Sequence, residues 1–309
     1  MPPACPLCRG LACEPIHSAV PDFEHGLPKL SDFLVCRTCG LVFQWPQPSL
    51  AELESYYPSD YRPHVSGSRD GLLGYLKGIQ SRMLARKYAG WLPRDRGARI
   101  LDLGCGSGGF LMALRGLGYG ELTGIDRNPS LAAAFEGTSI RYRALQIEPD
   151  LVLDAVYDVI VLNNVVEHFL DPLRVLERCR EALAPGGLVL MMTPNADSWC
   201  HRFYGRYWSG LHAPRHPRIF NPGTLARLAS QAGYGGAEVA FIGDPASWAF
   251  SLQNRIRSGA ARQGVTRGTA WYSLASLPAW APVAAVERMA RRSSSIIAAL
   301  RRDPAGAVR

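Results

Sequence analysis

The sequence of 309 residues has no long hydrophobic run, and this absence excludes a membrane-spanning helix. Such a helix needs roughly 20 consecutive apolar residues, whereas the apolar segment 277–285 is interrupted by Pro278 and Pro282. The first ten residues are rich in proline and cysteine, unlike the apolar centre of a secretory signal peptide. We therefore expect a cytoplasmic protein. Internal repeats and low-complexity segments are also absent, which argues against a solenoid or a disordered chain.

The chain has few charged residues for its length, and they are unevenly divided by sign. Charged residues make up 19% and hydrophobic residues 47% of the sequence, as in a globular domain with a small appendage. Lysine and arginine outnumber aspartate and glutamate by 34 to 26, which gives a net charge of +8. This charge permits an anionic small molecule as substrate or peripheral contact with a membrane surface. No run of alternating basic and aromatic residues marks a nucleic-acid site.

Half of the eight cysteines form two short pairs, Cys5-Pro-Leu-Cys8 and Cys36-Arg-Thr-Cys39, separated by 27 residues. In a chain without an export signal, such pairs favour a metal site over disulfides. Four thiolates from two equal turns make a closed tetrahedral zinc site. We predict that Cys5, Cys8, Cys36 and Cys39 bind a structural zinc ion, which stabilises a small zinc-ribbon module over residues 1–45.

The segment 99–110, Arg-Ile-Leu-Asp-Leu-Gly-Cys-Gly-Ser-Gly-Gly-Phe, runs from an apolar strand through glycines into a helical pattern. Gly104, Gly106 and Gly108 allow a sharp turn and let a ligand lie against bare backbone. The helix that follows offers unpaired N–H groups at its start. A second apolar strand comes next, and Asp126 stands at its end, where a carboxylate can accept both hydroxyls of a ribose. The pattern predicts a site for a nucleoside-containing ligand.

Two classes of ligand fit this glycine loop. The spacing Gly104-x-Gly106-x-x-Gly109 satisfies the dinucleotide fingerprint, which by itself is a weak motif. Asp102 distinguishes the two classes, because its carboxylate suits a ligand with an ammonium group and would repel a pyrophosphate. The sequence Asp102-x-Gly-x-Gly-x-Gly108 resembles the first motif of the class I S-adenosylmethionine-dependent methyltransferases. A nicotinamide oxidoreductase is the alternative interpretation of the same loop.

Two later segments add to the resemblance. Glu167-His168, with an Asp-Pro pair shortly after, is similar to a segment of the methyltransferase subgroup that includes the ubiquinone-pathway enzymes. That subgroup can carry a metal-binding acid three places before the glutamate, but this chain has Asn164 there. Pro214-Arg-His216 resembles a segment of zinc-ribbon-bearing methyltransferases from polysaccharide and natural-product clusters.

The resemblance implies S-adenosylmethionine as the cofactor and assigns residues to it. Asn163, at the tip of a later strand, would face the methionine end of the cofactor. Gln146 and Ile147 follow the third strand, where the adenine ring would lie if Asp126 holds the ribose. The residues implied in cofactor binding are Asp102, Gly104, Gly106, Gly108, Asp126, Arg127, Gln146, Ile147 and Asn163.

Strand and helix patterns alternate over the rest of the chain, which is typical of a parallel sheet covered on both faces. A late strand can insert antiparallel beside segment 237–242. We therefore predict an α/β, Rossmann-like domain over residues 99–309 with a seven-stranded, mostly parallel sheet, preceded by a helical lid or linker over residues 46–98. The predicted strands are 99–103, 121–125, 139–145, 157–162, 187–193, 237–242 and 293–300, and the helices between them are 108–117, 129–136, 171–183, 222–232 and 281–291.

Residues 195–221 interrupt this alternation with a segment rich in aromatic rings and histidines. A connection of this length is typical of a lid over an active site. It contains His216, which we predict to be the base or to orient the acceptor, with His168 of the preceding strand–helix loop as the second candidate. The residues predicted to line the acceptor pocket are Tyr57, Tyr61, Tyr207, Trp208 and Arg215.

Together with the resemblance, these sites predict transfer of a methyl group to an oxygen, carbon or nitrogen of a small molecule, such as a sugar or a natural-product intermediate. The sulfonium of the cofactor carries its own activation, so the protein mainly supplies proximity, orientation and, where the acceptor needs one, a base. Two alternatives place a different function on the same fold. One is a zinc-ribbon binding or scaffold protein without turnover, and the other is a methyltransferase acting on RNA or protein.

Overall fold

The computed structural model describes residues 3–57, 72–260 and 270–302. Within these ranges the chain forms eleven β-strands and eight α-helices. The strands are β1 (Cys13–Pro21), β2 (Leu30–Cys36), β3 (Val42–Trp45), β4 (Ile100–Leu103), β5 (Leu122–Asp126), β6 (Arg141–Ala144), β7 (Tyr157–Asn163), β8 (Leu183–Pro194), β9 (Arg218–Ile219), β10 (Glu238–Ile242) and β11 (Ser295–Arg301). The helices are α1 (Leu50–Ser55), α2 (Leu72–Tyr88), α3 (Gly109–Gly116), α4 (Pro172–Glu181), α5 (Trp199–Tyr204), α6 (Pro222–Gln231), α7 (Pro245–Ala260) and α8 (Trp271–Met289).

Seven strands form one sheet in the order β10-β11-β8-β7-β4-β5-β6. The pairs from β8 to β6 are parallel, whereas β11 runs antiparallel to both of its neighbours. Ile297 of β11 pairs with Met192 on one side and with Ala240 on the other. The predicted Rossmann-like, mostly parallel sheet is confirmed, including the insertion of the late strand beside segment 237–242.

The central strands are buried on both faces, because helices cover both sides of the sheet. All of Ile100–Leu103 and of Ile296–Leu300 is buried, and apart from Asp102 these segments are apolar. Leu101 packs in the layer with α4 and α6, and Ile100 packs in the layer with α2 and α3. The parallel arrangement brings the carboxyl ends of β4, β5 and β7 to one edge of the sheet, which is where ligands bind in such folds.

The N-terminal strands form a second, four-stranded sheet in the order β1-β2-β3-β9. Its first three strands belong to the predicted module, and its fourth comes from the predicted lid. Val42 and Phe43 of β3 pair antiparallel with Ile219 and Arg218 of β9. The module is therefore joined to the lid through backbone hydrogen bonds, and Phe43 also packs into the core of the large domain.

Three elements differ from the sequence-based expectation. Segment 129–136 forms a 3₁₀ helix over Pro129–Phe135. Helix α7 was not predicted, and α8 begins well before the expected start and contains Pro278 and Pro282. The two helices pack against each other, with the rings of Trp248 and Trp280 stacked at 5.2 Å. This packing stabilises a helix whose two prolines would disfavour it in isolation.

The linker begins with the capping box that its sequence predicts. Ser49 Oγ accepts from Glu52 N at 3.2 Å, and Ser49 N donates to Glu52 Oε2 at 2.8 Å, which starts α1. Helix α2 then packs on α3, with Tyr88 against Phe110 at a ring distance of 5.4 Å. Among the helices described, none is long and apolar enough to cross a membrane.

Candidate active site

The glycine loop between β4 and α3 has a backbone shape that only glycine adopts easily. Gly104, Gly106 and Gly108 have φ angles of +80°, +51° and +75°. A Cβ on Gly104 would lie 2.6 Å from the side chain of Val165, and one on Gly108 would lie 2.5 Å from the ring of Phe135. Larger residues are therefore excluded by conformation and by space.

Asp126, at the end of β5, holds this loop in place. Its Oδ2 accepts from Gly106 N at 3.0 Å, and its Oδ1 accepts from Asn128 N at 3.1 Å. A carboxylate oxygen can accept more than one hydrogen bond, and a carboxylate at the end of β5, beside the glycine loop, suits the hydroxyls of a ribose. Gln146 follows β6 and is exposed, and its Nε2 donates to Glu54 Oε1 at 2.7 Å, which leaves the amide oxygen as an acceptor.

Asp102 in β4 has a buried oxygen that lacks a hydrogen-bond partner among the described residues. The side chain is 2% exposed, and Oδ1 is the unpartnered atom. Burial, together with the nearby charge of Asp126, raises the pKa of Asp102 to about 7. A buried carboxyl group without a partner costs free energy that a cationic ligand group would offset. The carboxyl group of Asp102, a hydrogen-bond acceptor at this end of the loop, therefore fits the ammonium of S-adenosylmethionine.

Two further polar groups lie near this end of the site. Asn163, at the tip of β7, accepts from the hydroxyl of Tyr88 at 3.3 Å through its Oδ1. Glu167 is fully buried, and its Oε2 accepts from Thr193 Oγ1 at 3.0 Å, whereas its Oε1 has no partner within the described chain. Burial raises the pKa of Glu167 to about 8. Sequence reasoning missed Tyr88, which stands at the C-terminal end of a helix assigned to the lid.

Three imidazoles from two distant segments meet on the acceptor side, and we call them the histidine cluster: His168, His212 and His216. One ring nitrogen of each lies within 4.8 Å of the others. His168 Nδ1 is 3.0 Å from the carbonyl oxygen of Arg215, and His216 Nδ1 is 2.9 Å from that of Gly210. A carbonyl only accepts, so Nδ1 of His216 carries the proton and its Nε2 carries a lone pair, whereas Nδ1 of His168 also lies 2.8 Å from the hydroxyl of Tyr57.

Burial keeps these rings neutral. It lowers the pKa of His168 to about 3, and it lowers the pKa of His216 well below the ordinary value, with the neighbouring imidazoles acting in the same direction. His216 is only 5% exposed. The structure thus brings the two predicted histidines together and adds His212, which sequence reasoning did not single out.

The N-terminal module contributes two carboxylates to this region. Asp22 forms a buried, two-pronged ion pair with Arg215, at 2.7 and 3.0 Å. Glu24 contacts Nε2 of His212. Burial works against ionisation of Glu24, but the hydrogen bond with His212 lowers its pKa to about 2. Neither carboxylate could have been found from sequence, because about 190 residues separate each from its partner in the lid.

The residues predicted to line the acceptor pocket fall into two groups. The hydroxyl of Tyr57 is 2.8 Å from His168 Nδ1, and the guanidinium of Arg127 lies 4.4 Å from the centre of the Tyr57 ring. Tyr57 therefore links the histidine cluster to the end of β5. Tyr207 is half-buried in the lid. Tyr61 lies outside the described residues.

Trp208 and Arg215 are instead part of the packed interior of the lid. The ring of Trp208 is 1% exposed, and its Nε1 donates to Ser247 Oγ at 3.1 Å. Arg215 is fully buried in its ion pair with Asp22. Their positions are those of side chains that hold the lid to the module and to α7.

The four predicted metal-binding cysteines converge in the module. Sγ of Cys5 is 3.7 Å from Sγ of Cys39, and Sγ of Cys8 is 3.5 Å from Sγ of Cys36. A tetrahedron with Zn–S bonds of about 2.3 Å has sulfur atoms about 3.8 Å apart. All four thiols are free of disulfides, so the donor set and its spacing fit a zinc ion.

Comparisons with known proteins agree with this geometry. A family described as a methyltransferase domain matches residues 75–238. The ubiquinone biosynthesis O-methyltransferase of Cereibacter sphaeroides is 33% identical over 172 residues, which span 52% of this chain and 69% of that enzyme. The enzyme of the same name from Chromobacterium violaceum is 31% identical over 176 residues, which span 51% of this chain and 74% of that enzyme.

Solved structures show the same fold. A chain from the complex between the Trm112 methyltransferase activator of Haloferax volcanii and a methyltransferase superposes with a TM-score of 0.51. The match covers 74% of this chain and 94% of that chain at 20% sequence identity. At this identity, the likeness concerns the fold alone.

Proposed function

Because this chain belongs to the class I S-adenosylmethionine-dependent methyltransferases, we propose that it methylates a hydroxyl oxygen of a small-molecule acceptor. The bond between the methyl carbon and the sulfonium sulfur breaks as a carbon–oxygen bond forms. The hydroxyl proton leaves to a base, and the products are a methyl ether and S-adenosylhomocysteine. Relatives that are named O-methyltransferases support oxygen as the acceptor atom.

The residues of the glycine loop support a role in positioning the cofactor. Asp102 would pair with its ammonium group, and Asp126 would accept from its ribose hydroxyls. Gln146 retains an amide oxygen for the exocyclic amine of adenine, and the backbone N–H of Ile147 follows it. Asn163 stands at the tip of β7 beside the methionine end. These contacts hold the sulfonium in one orientation, which supplies the proximity that methyl transfer needs.

The observation that carries the choice of oxygen is the histidine cluster. A hydroxyl must lose a proton to become a good methyl acceptor, whereas a neutral amine need not. Burial keeps His168 and His216 as neutral imidazoles, and His216 directs its Nε2 towards His212. We propose that His216 takes the hydroxyl proton or orients the hydroxyl, with His168 as the second candidate.

Tyr57 is the residue that we propose to position the acceptor. Its hydroxyl bonds to His168, and its ring lies under Arg127, which follows directly after Asp126. An acceptor beside Tyr57 would therefore lie between the histidine cluster and the cofactor. Tyr207 is a second candidate from the lid. That the acceptor is a sugar or a natural-product intermediate stays a prediction. Its negative charge also stays a prediction, because the guanidinium of Arg215 already pairs with Asp22.

We further propose that the four cysteines bind one structural zinc ion. The ion would hold together a module whose three strands enclose little hydrophobic core of their own. Cys36→Ser should release the zinc and should unfold residues 13–45, which would weaken the sheet shared with the lid. Metal analysis and limited proteolysis of the purified chain would measure both effects. A metal-free module with two disulfides would contradict this assignment.

Turnover with hydroxyl-bearing acceptors tests the proposed function. Release of S-adenosylhomocysteine would be followed over a panel of phenols, sugars and amines, and the position of the new methyl group would be read by NMR. We expect a methyl ether. Methylation at nitrogen or carbon would overturn the choice of oxygen. Cofactor binding without turnover on small molecules would favour the scaffold alternative or, if RNA or protein is methylated, the macromolecular one.

A further inference from the structure

We propose that the histidine cluster is a second metal site, in which His168, His212 and His216 bind a divalent transition-metal ion such as Zn²⁺. One nitrogen from each ring lies within 4.8 Å of the other two, although the rings come from two loops more than 40 residues apart. Imidazole is a preferred ligand for zinc, cobalt, nickel and copper. The site shares His168 with the Glu167-His168 segment, and its other two ligands come from the lid.

The outward-facing nitrogen of each ring lies against an acceptor oxygen. The Nδ1 atoms of His168 and His216 lie 3.0 and 2.9 Å from backbone carbonyl oxygens, and Nδ1 of His168 also lies 2.8 Å from the hydroxyl of Tyr57. The Nε2 atom of His212 contacts the carboxylate of Glu24, with Nε of Arg215, a donor, 3.1 Å away. Metal-binding histidines almost always donate their second N–H to a carbonyl or a carboxylate, and all three rings have such an oxygen beside the outer nitrogen.

A bound ion would require the protons on these outer nitrogens, which leaves a lone pair on each inner nitrogen. The inner nitrogens are Nε2 of His168, Nδ1 of His212 and Nε2 of His216. The His212 Nδ1 and His216 Nε2 atoms lie 3.2 Å apart. Two nitrogens on one tetrahedral zinc ion, each at about 2.0–2.1 Å, would be about 3.3 Å apart. Without an ion, one of these two nitrogens carries a proton and donates to the other, whereas an ion would receive both lone pairs at the same spacing.

The charges around the cluster also suit a cation. Asp22 and Glu24 are both carboxylates with lowered pKa values, and the fully buried guanidinium between them and His212 belongs to Arg215. The guanidinium of Arg127, which lies on the ring of Tyr57, also acts on His168. The carboxylate of Glu24, which contacts His212 directly, would stabilise a bound cation in a region that water reaches poorly.

A pair of histidines elsewhere in the protein, His17 and His201, lacks, in the part of the chain that the structure describes, the third ligand that the histidine cluster has. His17 Nε2 and His201 Nε2 lie 2.8 Å apart, and His201 Nδ1 bonds to the carbonyl oxygen of Ala196. Nε2–H of His17 must therefore donate to Nε2 of His201, and this hydrogen bond occupies the lone pair that His201 could have offered to a metal ion. No third histidine, cysteine or acid within the described residues completes a metal set there. This pair is a matched control for the cluster.

Three ligands leave a fourth position open, as in zinc sites that bind a substrate or water. This consequence rests on the proposed function: a hydroxyl oxygen of the acceptor bound to the ion would lose its proton to solvent more readily. In that case His216 would orient the acceptor through the metal ion that it binds. Metal binding itself does not depend on methyl transfer.

Metal stoichiometry of the full-length chain tests the proposal. Protein purified with zinc in the buffer should contain roughly two ions per chain, one at the four cysteines and one at the histidine cluster. Replacement with Co²⁺ should give visible bands of a nitrogen and oxygen site in addition to the intense thiolate bands of the cysteine site. Cys36→Ser should remove the thiolate bands and leave the others. One ion per chain with thiolate bands alone would overturn the proposal.

Two variants and a control locate the second ion. His212→Asn should lose one ion and keep the cysteine-bound one; asparagine is chosen because residue 212 has a φ of +38°, which asparagine tolerates. Glu24→Gln should weaken binding of the second ion by about 10- to 100-fold. His17→Gln should leave both ions bound. An unchanged second ion in His212→Asn would overturn the assignment, even if Glu24→Gln misfolds.

The outcome separates this inference from the proposed function. Loss of turnover after mild chelation, with S-adenosylmethionine still bound, would connect the ion to the acceptor. Full turnover with one ion removed would leave His216 as a metal-free base. Two ions per chain in a protein that methylates nothing would support the metal site while contradicting the methyl-transfer proposal.

Discussion

The two sides of the candidate active site are built in different ways. The centre of the cofactor side lies within one short segment, from Asp102 to Asp126, and its geometry depends on backbone conformation and on a few hydrogen bonds. The acceptor side is assembled from the module, the β7 loop and the lid, and it depends on side-chain contacts between residues far apart in sequence. A local motif therefore specifies the cofactor site, whereas tertiary packing shapes the acceptor site.

The largest expected effect tests the cofactor side. Asp126→Ala removes the acceptors of Gly106 N–H and of the ribose hydroxyls, so we expect affinity for S-adenosylmethionine to fall at least about 100-fold. Titration calorimetry would measure the change, and Asp154→Ala, on an exposed carboxylate, is a control that should keep full affinity. Tight binding of NAD in place of S-adenosylmethionine would contradict the cofactor assignment and restore the oxidoreductase alternative.

The difference between the two sides also explains what the sequence could predict. Strands β4 and β5, the turn at Gly104 and the cluster of four cysteines were found from short-range patterns, because a local pattern directly reflects backbone geometry or ligand spacing. Helix α7 and the true start of α8 were missed, since packing between these helices outweighs the prolines. On the acceptor side, His168 and His216 were singled out, but the contact of the neighbouring His212 with Glu24 could not be derived from a pattern in sequence.

The next effect concerns the acceptor side alone. His216→Ala should reduce turnover by roughly 100-fold, the scale expected for a lost general base. Affinity for S-adenosylmethionine should hardly change, because His216 bonds to Gly210 and to His212 and not to the glycine loop. Single-turnover kinetics with the true acceptor would separate the two quantities. Normal turnover across pH would show that His216 only packs the lid.

A smaller effect connects the two sides through pH. Burial and the charge of Asp126 raise the pKa of Asp102 to about 7 in the free protein. The ammonium of the cofactor binds the ionised carboxylate, so affinity should be highest above pH 7 and should fall by up to about tenfold per unit below it. Asp102→Asn should bind more weakly and should lose this dependence. A wild-type affinity that is flat between pH 5 and 7 would show that Asp102 does not meet the ammonium.

The smallest effect tests whether contacts between the module and the lid outside the histidine cluster contribute to the stability of the folded chain. Burial, with the neighbouring His201 and Arg206, lowers the pKa of His17 to about 4 in the folded chain, against 6.5 when it is unfolded. The unfolded chain therefore binds a proton that the folded chain rejects, and stability that is complete above pH 6.5 should decline as the pH falls towards 4. His17→Gln should remove roughly 1 kcal/mol of this decline, a value discounted for partial exposure, while turnover at neutral pH stays unchanged. Urea unfolding of both proteins at pH 7.5 and pH 5 would measure the difference. Equal pH dependence in the two proteins would mean that the imidazole pair does not couple the module to the lid.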